Sequence, residues 1–131
     1  MRYLGLDYGL KKIGIATSEG QIASPLKVLD ISSLADAVNK ILHVIKQQQI
    51  DRVVVGVPES GIAKSAVKKF ITKLKADLKE NPVSVIEADE TLSTSSAKDL
   101  MIDLGMGEKA RQKEDAYAAV IILQNFLDSI T

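Results

Sequence analysis

Three separated carboxylates, Asp7, Glu90 and Asp115, are the residues whose types and positions could do chemistry. Asp7 lies within residues 4–16, LGLDYGLKKIGIA, an almost wholly apolar and glycine-rich run. An ionised carboxylate in a desolvated strand is costly unless it is paired, neutralised or bound to a cation. Glu90 directly follows a predicted strand and Asp115 opens a predicted helix. Because ligands of α/β sheets gather at the carboxyl ends of strands, we expect these acids to lie near one another.

Three carboxylates that meet without a basic partner would repel one another. A hard divalent cation removes this repulsion, because Mg²⁺ prefers oxygen ligands, and a pair of such ions can promote hydrolysis of a phosphodiester. The pattern therefore indicates metal-dependent hydrolysis. Each acid also has a structural explanation: Asp7 could cap a hairpin turn, Asp89 or Glu90 could accept hydrogen bonds from helix N-terminal amides, and Asp115 could be a first-turn acid.

The strands and helices that must position these acids can be predicted from the sequence pattern, and they indicate an α/β fold. Residues 3–8 and 13–18 read as a hairpin, residues 25–29 as a third strand, and a first helix begins in a capping-box-like pattern at Ser33 and Asp36. The remaining periodicity predicts a strand at 53–57, a helix at 63–78, a strand at 83–88, a helix at 97–104, a loop at 105–113 and a closing helix at 115–127. This order predicts a mixed five-stranded sheet, an antiparallel three-stranded meander with parallel additions, and helices on both faces.

The closing helix is predicted to bring Asp115 towards Asp7. Asp115 shares the helical spacing of Ala118, Ala119 and Ile122, which puts it on the buried face. Because the alanines are small, the helix can approach the sheet closely.

Length and composition predict a single domain over residues 1–131. No apolar run approaches the roughly 20 residues of a membrane span, and the N-terminus lacks a signal-peptide pattern. The absence of cysteine fits a cytoplasmic protein and excludes thiolate metal sites and cysteine nucleophiles. The single histidine, His43, excludes a histidine-rich metal site, and we expect it to be partly buried beside the apolar face of the first helix.

The charge pattern leaves nucleic-acid binding open. The formal net charge is zero, which argues against binding by bulk electrostatics alone. Lysines nevertheless cluster within residues 64–79, and acids cluster within residues 87–90. The lysine cluster is either a solvated helix face or a surface that follows backbone phosphates.

Four motifs, in the right order, resemble those of the YqgF family, also called RuvX, of the RNase H-like group. They are LGLDYG with KKIGIA at 4–16, VVGVP at 54–58, DETLST at 89–94 and DAYAA at 115–119. The resemblance covers nearly the whole chain, so it is more specific than any one motif.

The resemblance implies an RNase H-like fold and a bacterial cytoplasmic nuclease that matures the 5′ end of 16S rRNA; a Holliday junction resolvase activity has also been proposed for the family. In that family the positions of Asp7, Glu90 and Asp115 form an acidic triad that binds Mg²⁺ or Mn²⁺. The implied partners are nucleic acid, either pre-rRNA or branched DNA, and a ribosome precursor, with no membrane. We expect a monomer or a weak dimer.

The chain departs from the family pattern where phosphate would be held. Thr91 stands where arginine is usual, Lys12 where arginine is common, and the 58–61 loop is short and lacks its usual following arginine. Arginine binds phosphate bidentately and lysine does not. We therefore expect the phosphate contacts to be point charges from four lysines: Lys11, Lys12, Lys64 and Lys68.

Two other functions stay open. The low arginine content and the zero net charge fit a nucleic-acid or ribosome-precursor binding protein with little catalysis. Asp7-Tyr8-Gly9 near Gly14 also resembles the phosphate-binding hairpin of actin-like ATPases and sugar kinases, although those proteins need two such domains.

Overall fold

The computed structural model describes residues 1–89 and 114–130, except for the side chains of residues 114 and 115. Its elements are β1 (Tyr3–Tyr8), β2 (Lys12–Ser18), β3 (Ser24–Asp30), α1 (Leu34–Gln47), β4 (Arg52–Val57), α2 (Gly61–Asp77), β5 (Ser84–Asp89) and α3 (Glu114–Ser129). Every predicted element within these residues is confirmed, with ends that differ by at most two positions. The predicted helix at 97–104 and loop at 105–113 lie outside the described residues.

The strands form one five-stranded sheet in the order β3-β2-β1-β4-β5. Strands β1, β2 and β3 pair antiparallel, whereas β1 pairs parallel with β4 and β4 parallel with β5. The predicted mixed sheet is therefore confirmed. Because β1, β4 and β5 run in the same direction, their carboxyl ends lie at one edge of the sheet, which we call the carboxyl edge. The β1–β2 turn and the start of α2 lie at this edge too.

One face of the sheet packs against α1 and α2. Inward side chains of the strands, such as Leu6 and Val55, are fully buried beside Ile41 of α1 and Phe70 of α2. The start of α1 is fixed as its sequence predicts, since the Ser33 hydroxyl accepts a hydrogen bond from the Asp36 amide at 3.0 Å. The Asp36 carboxylate in turn accepts from the Ser32 amide at 2.9 Å.

The other face packs closely against α3, with small side chains beside large ones such as Ile122 and Leu123. A Cβ atom placed on Gly5 would lie 2.7 Å from the Cβ atom of Leu123, closer than real Cβ atoms approach. Ala16 and Ala119 are fully buried in the same layer. The predicted close approach of the closing helix is thus confirmed, as are helices on both faces.

The expectation about the burial of His43 is wrong. His43 is exposed, because it lies about 200° round α1 from the buried Ile41. Asp7 is only partly buried, because it lies next to the end of β1, where the strand leaves the core. None of the described helices is long and apolar enough to cross a bilayer.

Candidate active site

Asp7 occupies a position where the neighbouring strands carry no side chains. Its register partner on β2 is Gly14. On the other side, Leu6 is level with Val55 of β4, so the next residues along the two strands are Asp7 and Gly56. Strand alternation places Asp7 on the same face as Gly5, which is the face that α3 covers. The Asp7 carboxylate therefore lies at the carboxyl edge between two glycine positions.

The direction of α3 brings its first turn towards the Asp7 end of β1. At the start of β1, the Tyr3 ring lies 6.0 Å from the ring of Phe126. Two residues further along, Gly5 faces Leu123 and the carbonyl of Ala119. As β1 proceeds to the carboxyl edge, its contacts on α3 thus move towards the helix N-terminus, where the backbone of Asp115 lies in the first turn.

The structure describes only some of the other predicted acids. Glu90 and the side chain of Asp115 lie outside the described residues, so the meeting of the three acids stays a prediction. Asp89 ends β5 opposite Val57 and has the same strand parity as Glu87. Because Glu87 binds Lys68 of α2, this parity places Asp89 on the α2 face, not on the face of Asp7. Among the described side chains, no three His, Cys, Asp or Glu residues are grouped to hold a metal ion.

Three of the four predicted phosphate-binding lysines lie exposed at the carboxyl edge. Lys11 is in the β1–β2 turn, Lys12 is the first residue of β2, and Lys64 is on the first turn of α2. Within residues 1–89 and 114–130, none of these three forms an ion pair. Their charges are thus available to an anionic ligand that approaches this edge.

Lys68 differs from the other three, because its ammonium group donates a hydrogen bond to the Glu87 carboxylate. This hydrogen bond lowers the pKa of Glu87 from its ordinary value, and the charges of Lys68, Lys75 and Lys64 lower it further. The Lys68 charge is therefore already shared with a carboxylate of the protein.

An open groove of about 430 Å³ lies between the ends of β4 and β5 and the start of α2. Its charged lining side chains are Glu59, Lys64, Lys68, Glu87 and Asp89. Carboxylates outnumber ammonium groups here, so the groove by itself would not attract a polyanion.

Sequence reasoning did not single out Gly14 and Gly56 as neighbours of Asp7. The Gly14 pairing follows from the hairpin. The residue numbers of paired positions in β1 and β2 add to a constant, so the pairing of Tyr3 with Ser18 also pairs Asp7 with Gly14. The Gly56 position depends on the parallel register of β1 and β4, which no local pattern specifies. A partly buried carboxylate flanked by two glycine positions, at the same end of the sheet as exposed lysines, suits a cation that also contacts a phosphate.

Comparisons with known proteins give the family and the fold of the chain. The family model described as "RuvX: Holliday junction resolvase" matches residues 1–129. A relative from Lactococcus lactis subsp. cremoris (strain SK11), named "Putative pre-16S rRNA nuclease", is 36% identical over 98% of this chain and 94% of its own length. A relative of the same name from Desulforudis audaxviator is 34% identical over 98% of this chain and 95% of its own length.

Solved structures share the fold at lower identity. Thermus thermophilus RuvC, solved with a Holliday junction substrate, superposes with a TM-score of 0.66 and 20% identity over 99% of this chain and 95% of that one. Fowlpox virus resolvase, solved with Holliday junction DNA, superposes with a TM-score of 0.70 and 14% identity over 99% of both chains. At these identities the likeness establishes the fold, which confirms the predicted architecture. The family match over residues 1–129 and the relatives at 34% and 36% identity show that the chain belongs to the RuvX family, the one its four motifs resemble.

Proposed function

We propose that this chain is a nuclease that hydrolyses phosphodiester bonds in structured nucleic acid, with the 5′ end of pre-16S rRNA as its substrate. The observation that carries the proposal is the position of Asp7, a carboxylate at the carboxyl edge between two glycine positions. Membership of the RuvX family and the name of the relatives support the reaction and the substrate.

Asp7, Glu90 and Asp115 are the residues that we assign to hold Mg²⁺ or Mn²⁺. Their carboxylate oxygens are the ligands that these hard cations prefer. The surroundings of Asp7 fit such an ion, because the side chain is only partly desolvated and its register partner Gly14 has no side chain to compete for it. When bound, divalent cations activate water and stabilise the leaving oxygen of a phosphodiester. We assign Glu90 instead of Asp89 because Asp89 has the strand parity of Glu87, on the α2 face.

The lysines at the carboxyl edge would hold the substrate backbone. We assign phosphate contacts to Lys11, Lys12 and Lys64, which are exposed and form no ion pair within the described part of the chain. We assign Lys68 a smaller contribution to phosphate binding because it binds Glu87. Each lysine supplies a point charge without the bidentate geometry of arginine, so these contacts would attract the backbone more than they would orient it.

The direct test is cleavage of end-labelled RNA that spans the 5′ end of 16S rRNA, with Mg²⁺ or Mn²⁺. We expect wild type to cut it and Asp7→Asn to lose more than about 100-fold in rate while still binding the RNA. Asp77→Asn is the matched control, because it makes the same chemical change at the far end of α2 and should cut normally. Product ends should be 5′-phosphate and 3′-hydroxyl, and a cyclic phosphate would contradict the proposed chemistry.

A four-way DNA junction in the same assay tests the second candidate, Holliday junction resolution, which the family description favours. Metal-dependent cutting of the junction but not of the RNA would replace the proposed substrate. If wild type binds either nucleic acid and cuts neither, the chain is a binding module and the nuclease proposal is wrong. A pre-rRNA substrate implies a cytoplasmic protein that meets ribosome precursors, and a monomer or weak dimer is sufficient for it.

A further inference from the structure

Two large aliphatic side chains are exposed at the carboxyl edge. Leu10 lies in the turn after β1 and is 70% exposed, and Ile62 lies in the first turn of α2, after β4, and is 82% exposed. Because β1 and β4 are neighbouring parallel strands, the segments that follow them leave the same end of the sheet. The other largely exposed aliphatic side chains of the described residues are Met1 and Ile130, near the chain ends, and Ile22, beyond the opposite edge.

The turn that carries Leu10 is held in one conformation. The Gly9 amide donates to the Lys12 carbonyl at 2.8 Å, and the Ile31 amide donates to the Lys11 carbonyl at 2.8 Å. A Cβ atom on Gly9 would lie 2.9 Å from the Lys12 carbonyl oxygen, so this tight turn requires glycine. Leu10 is thus presented to solvent by a fixed turn.

Ile62 is also mounted on a fixed element. It follows Gly61, whose φ of +88° is a conformation that favours glycine. The helix that it opens is anchored against the core by Val67, Phe70 and Leu74, which are all buried. A side chain held in this way loses little freedom when a ligand packs against it.

Each exposed aliphatic side chain has lysines close by in the sequence. Leu10 is followed by Lys11 and Lys12, and Ile62 is followed two positions later by Lys64. Nucleic acid combines phosphates, which lysine attracts, with base faces that take up apolar side chains where stacking is broken. An uninterrupted duplex hides those faces and must first be unstacked, so an aliphatic side chain gains contact area at the lowest cost at a branch, a bulge or a duplex end.

We propose that Leu10 and Ile62 are wedge residues that pack against bases where the base stack of the substrate is interrupted, while the adjacent lysines hold the flanking phosphates. This inference rests on the proposed function and specifies its substrate: the recognised feature is an interruption of stacking at the carboxyl edge, not a base sequence.

The test compares two RNA duplexes of equal length, one with a central bulge and 2-aminopurine beside it, the other uninterrupted. Binding and fluorescence are measured in EDTA, so that cleavage has no part in the signal. We expect wild type to raise the 2-aminopurine fluorescence at least about twofold, because an apolar wedge unstacks the base. The double variant Leu10→Ser/Ile62→Ser should lose this rise and bind the bulged duplex about 10-fold more weakly, with no change for the uninterrupted duplex.

Ile22→Ser is the matched control, since it removes an equally exposed aliphatic side chain beyond the other edge of the sheet. It should behave as wild type in both measurements, and circular dichroism should show all variants folded. The wedge assignment is overturned if the double variant binds the bulged duplex like wild type, or if it weakens binding to both duplexes equally. Failure of wild type to cleave RNA with Mg²⁺ would contradict the proposed nuclease without changing these binding results.

Discussion

The two faces of the sheet are packed by different kinds of side chain. The face towards α1 and α2 is filled with large ones, with Leu4, Ile15 and Phe70 fully buried. The face towards α3 also buries large side chains such as Ile122 and Leu123, but small residues, Gly5, Ala16 and Ala119, lie where the helix comes closest to β1. The first face therefore buries large apolar groups, whereas the second brings a helix backbone close to a strand.

Because of this difference, we assign stability mainly to one face of the sheet and the candidate site to the other. Leu6 and Tyr8, the chain neighbours of Asp7, point into the α1/α2 face, and Asp7 points to the α3 face. A close helix with small side chains can hold groups from two elements at short range. We infer that the α1/α2 face supplies most of the folding free energy and that the α3 face sets the geometry of the site.

Phe70→Ala tests the first half of that comparison and has the largest expected effect on stability. Phe70 is fully buried, and its ring stacks on the ring of Tyr8 with centroids 4.6 Å apart. Its truncation should lower the free energy of unfolding by about 3–5 kcal/mol, through lost burial and a cavity. Urea unfolding measures this loss. A loss below about 1 kcal/mol would show that the α1/α2 face is not the main source of stability.

Gly5→Ala tests whether the α3 face sets the geometry of the site. It should lower stability less than Phe70→Ala and lower the cleavage rate more. The new Cβ would lie 2.7 Å from Leu123 Cβ and 3.1 Å from the Ala119 carbonyl oxygen. Neither atom is the end of a flexible side chain, so α3 must move away from β1. We expect a loss of about 1–3 kcal/mol in unfolding free energy and a fall in cleavage rate of the folded protein.

Gly20→Ala is the control for that substitution, because a Cβ atom at Gly20 has nothing within 4 Å. Its unfolding free energy should stay within about 0.5 kcal/mol of wild type, with a normal cleavage rate. If Gly5→Ala cuts RNA as fast as wild type, the spacing between α3 and β1 does not set the site.

The sequence predicts those parts of the molecule that local pattern specifies. The apolar stripe of α1 and its Ser33 cap were predictable because helix periodicity and capping act within a few residues. The pairing of Asp7 with Gly14 could also be derived from a short hairpin. By contrast, the bond from Lys68 to Glu87 joins α2 to β5 across a crossover, and nothing local determines which lysine meets which acid.

Burial of single polar residues was harder to predict than the elements themselves. His43 is exposed because a one-residue step round a helix turns a side chain by about 100°, so nearness to apolar residues in the sequence does not imply burial. Asp7 is partly exposed because a strand end leaves the core within one or two residues. The predicted roles of Glu90 and Asp115 stay predictions, since they depend on side chains outside the described residues.

Gln124 should contribute about 1–2 kcal/mol by fixing α3 to the β2–β3 connection. Its side-chain oxygen accepts from the Ala23 amide at 2.9 Å, and its side-chain nitrogen donates to the Gln21 carbonyl at 2.8 Å. Gln124→Leu would leave the amide of the buried Ala23 without this partner, and an unsatisfied buried donor is costly. Gln124→Glu has nearly the same shape and keeps the acceptor for the Ala23 amide, but it loses the donor to the Gln21 carbonyl and to the Asp128 carboxylate. We expect it to lose less than Gln124→Leu in urea unfolding; an equal loss would assign the effect to the lost donor and to repulsion from Asp128.

Lys68→Met has the smallest expected effect and tests whether charge matters on the α1/α2 face. Lys68 lowers the pKa of Glu87, so the substitution should raise that pKa towards its ordinary value, as a carboxyl titration by NMR would show. Because the folded-state pKa is depressed, the pair stabilises the fold above the unfolded-state pKa, and this contribution is lost as pH falls through the folded-state pKa. Both side chains are substantially exposed, so we expect only about 0.2–1 kcal/mol at pH 7, lost as pH falls through the depressed folded-state pKa of Glu87.

Lys73→Met is the control for that titration, because Lys73 lies nearest Asp77 and should leave the Glu87 pKa unchanged. Lysine-to-methionine variants also rank the lysines by their contribution to phosphate binding. Since Glu87 already shares the Lys68 charge, Lys68→Met should weaken RNA binding less than Lys64→Met and change its salt dependence less. The reverse order would mean that the substrate displaces Glu87 from Lys68, so that Lys68 contributes more to phosphate binding than Lys64.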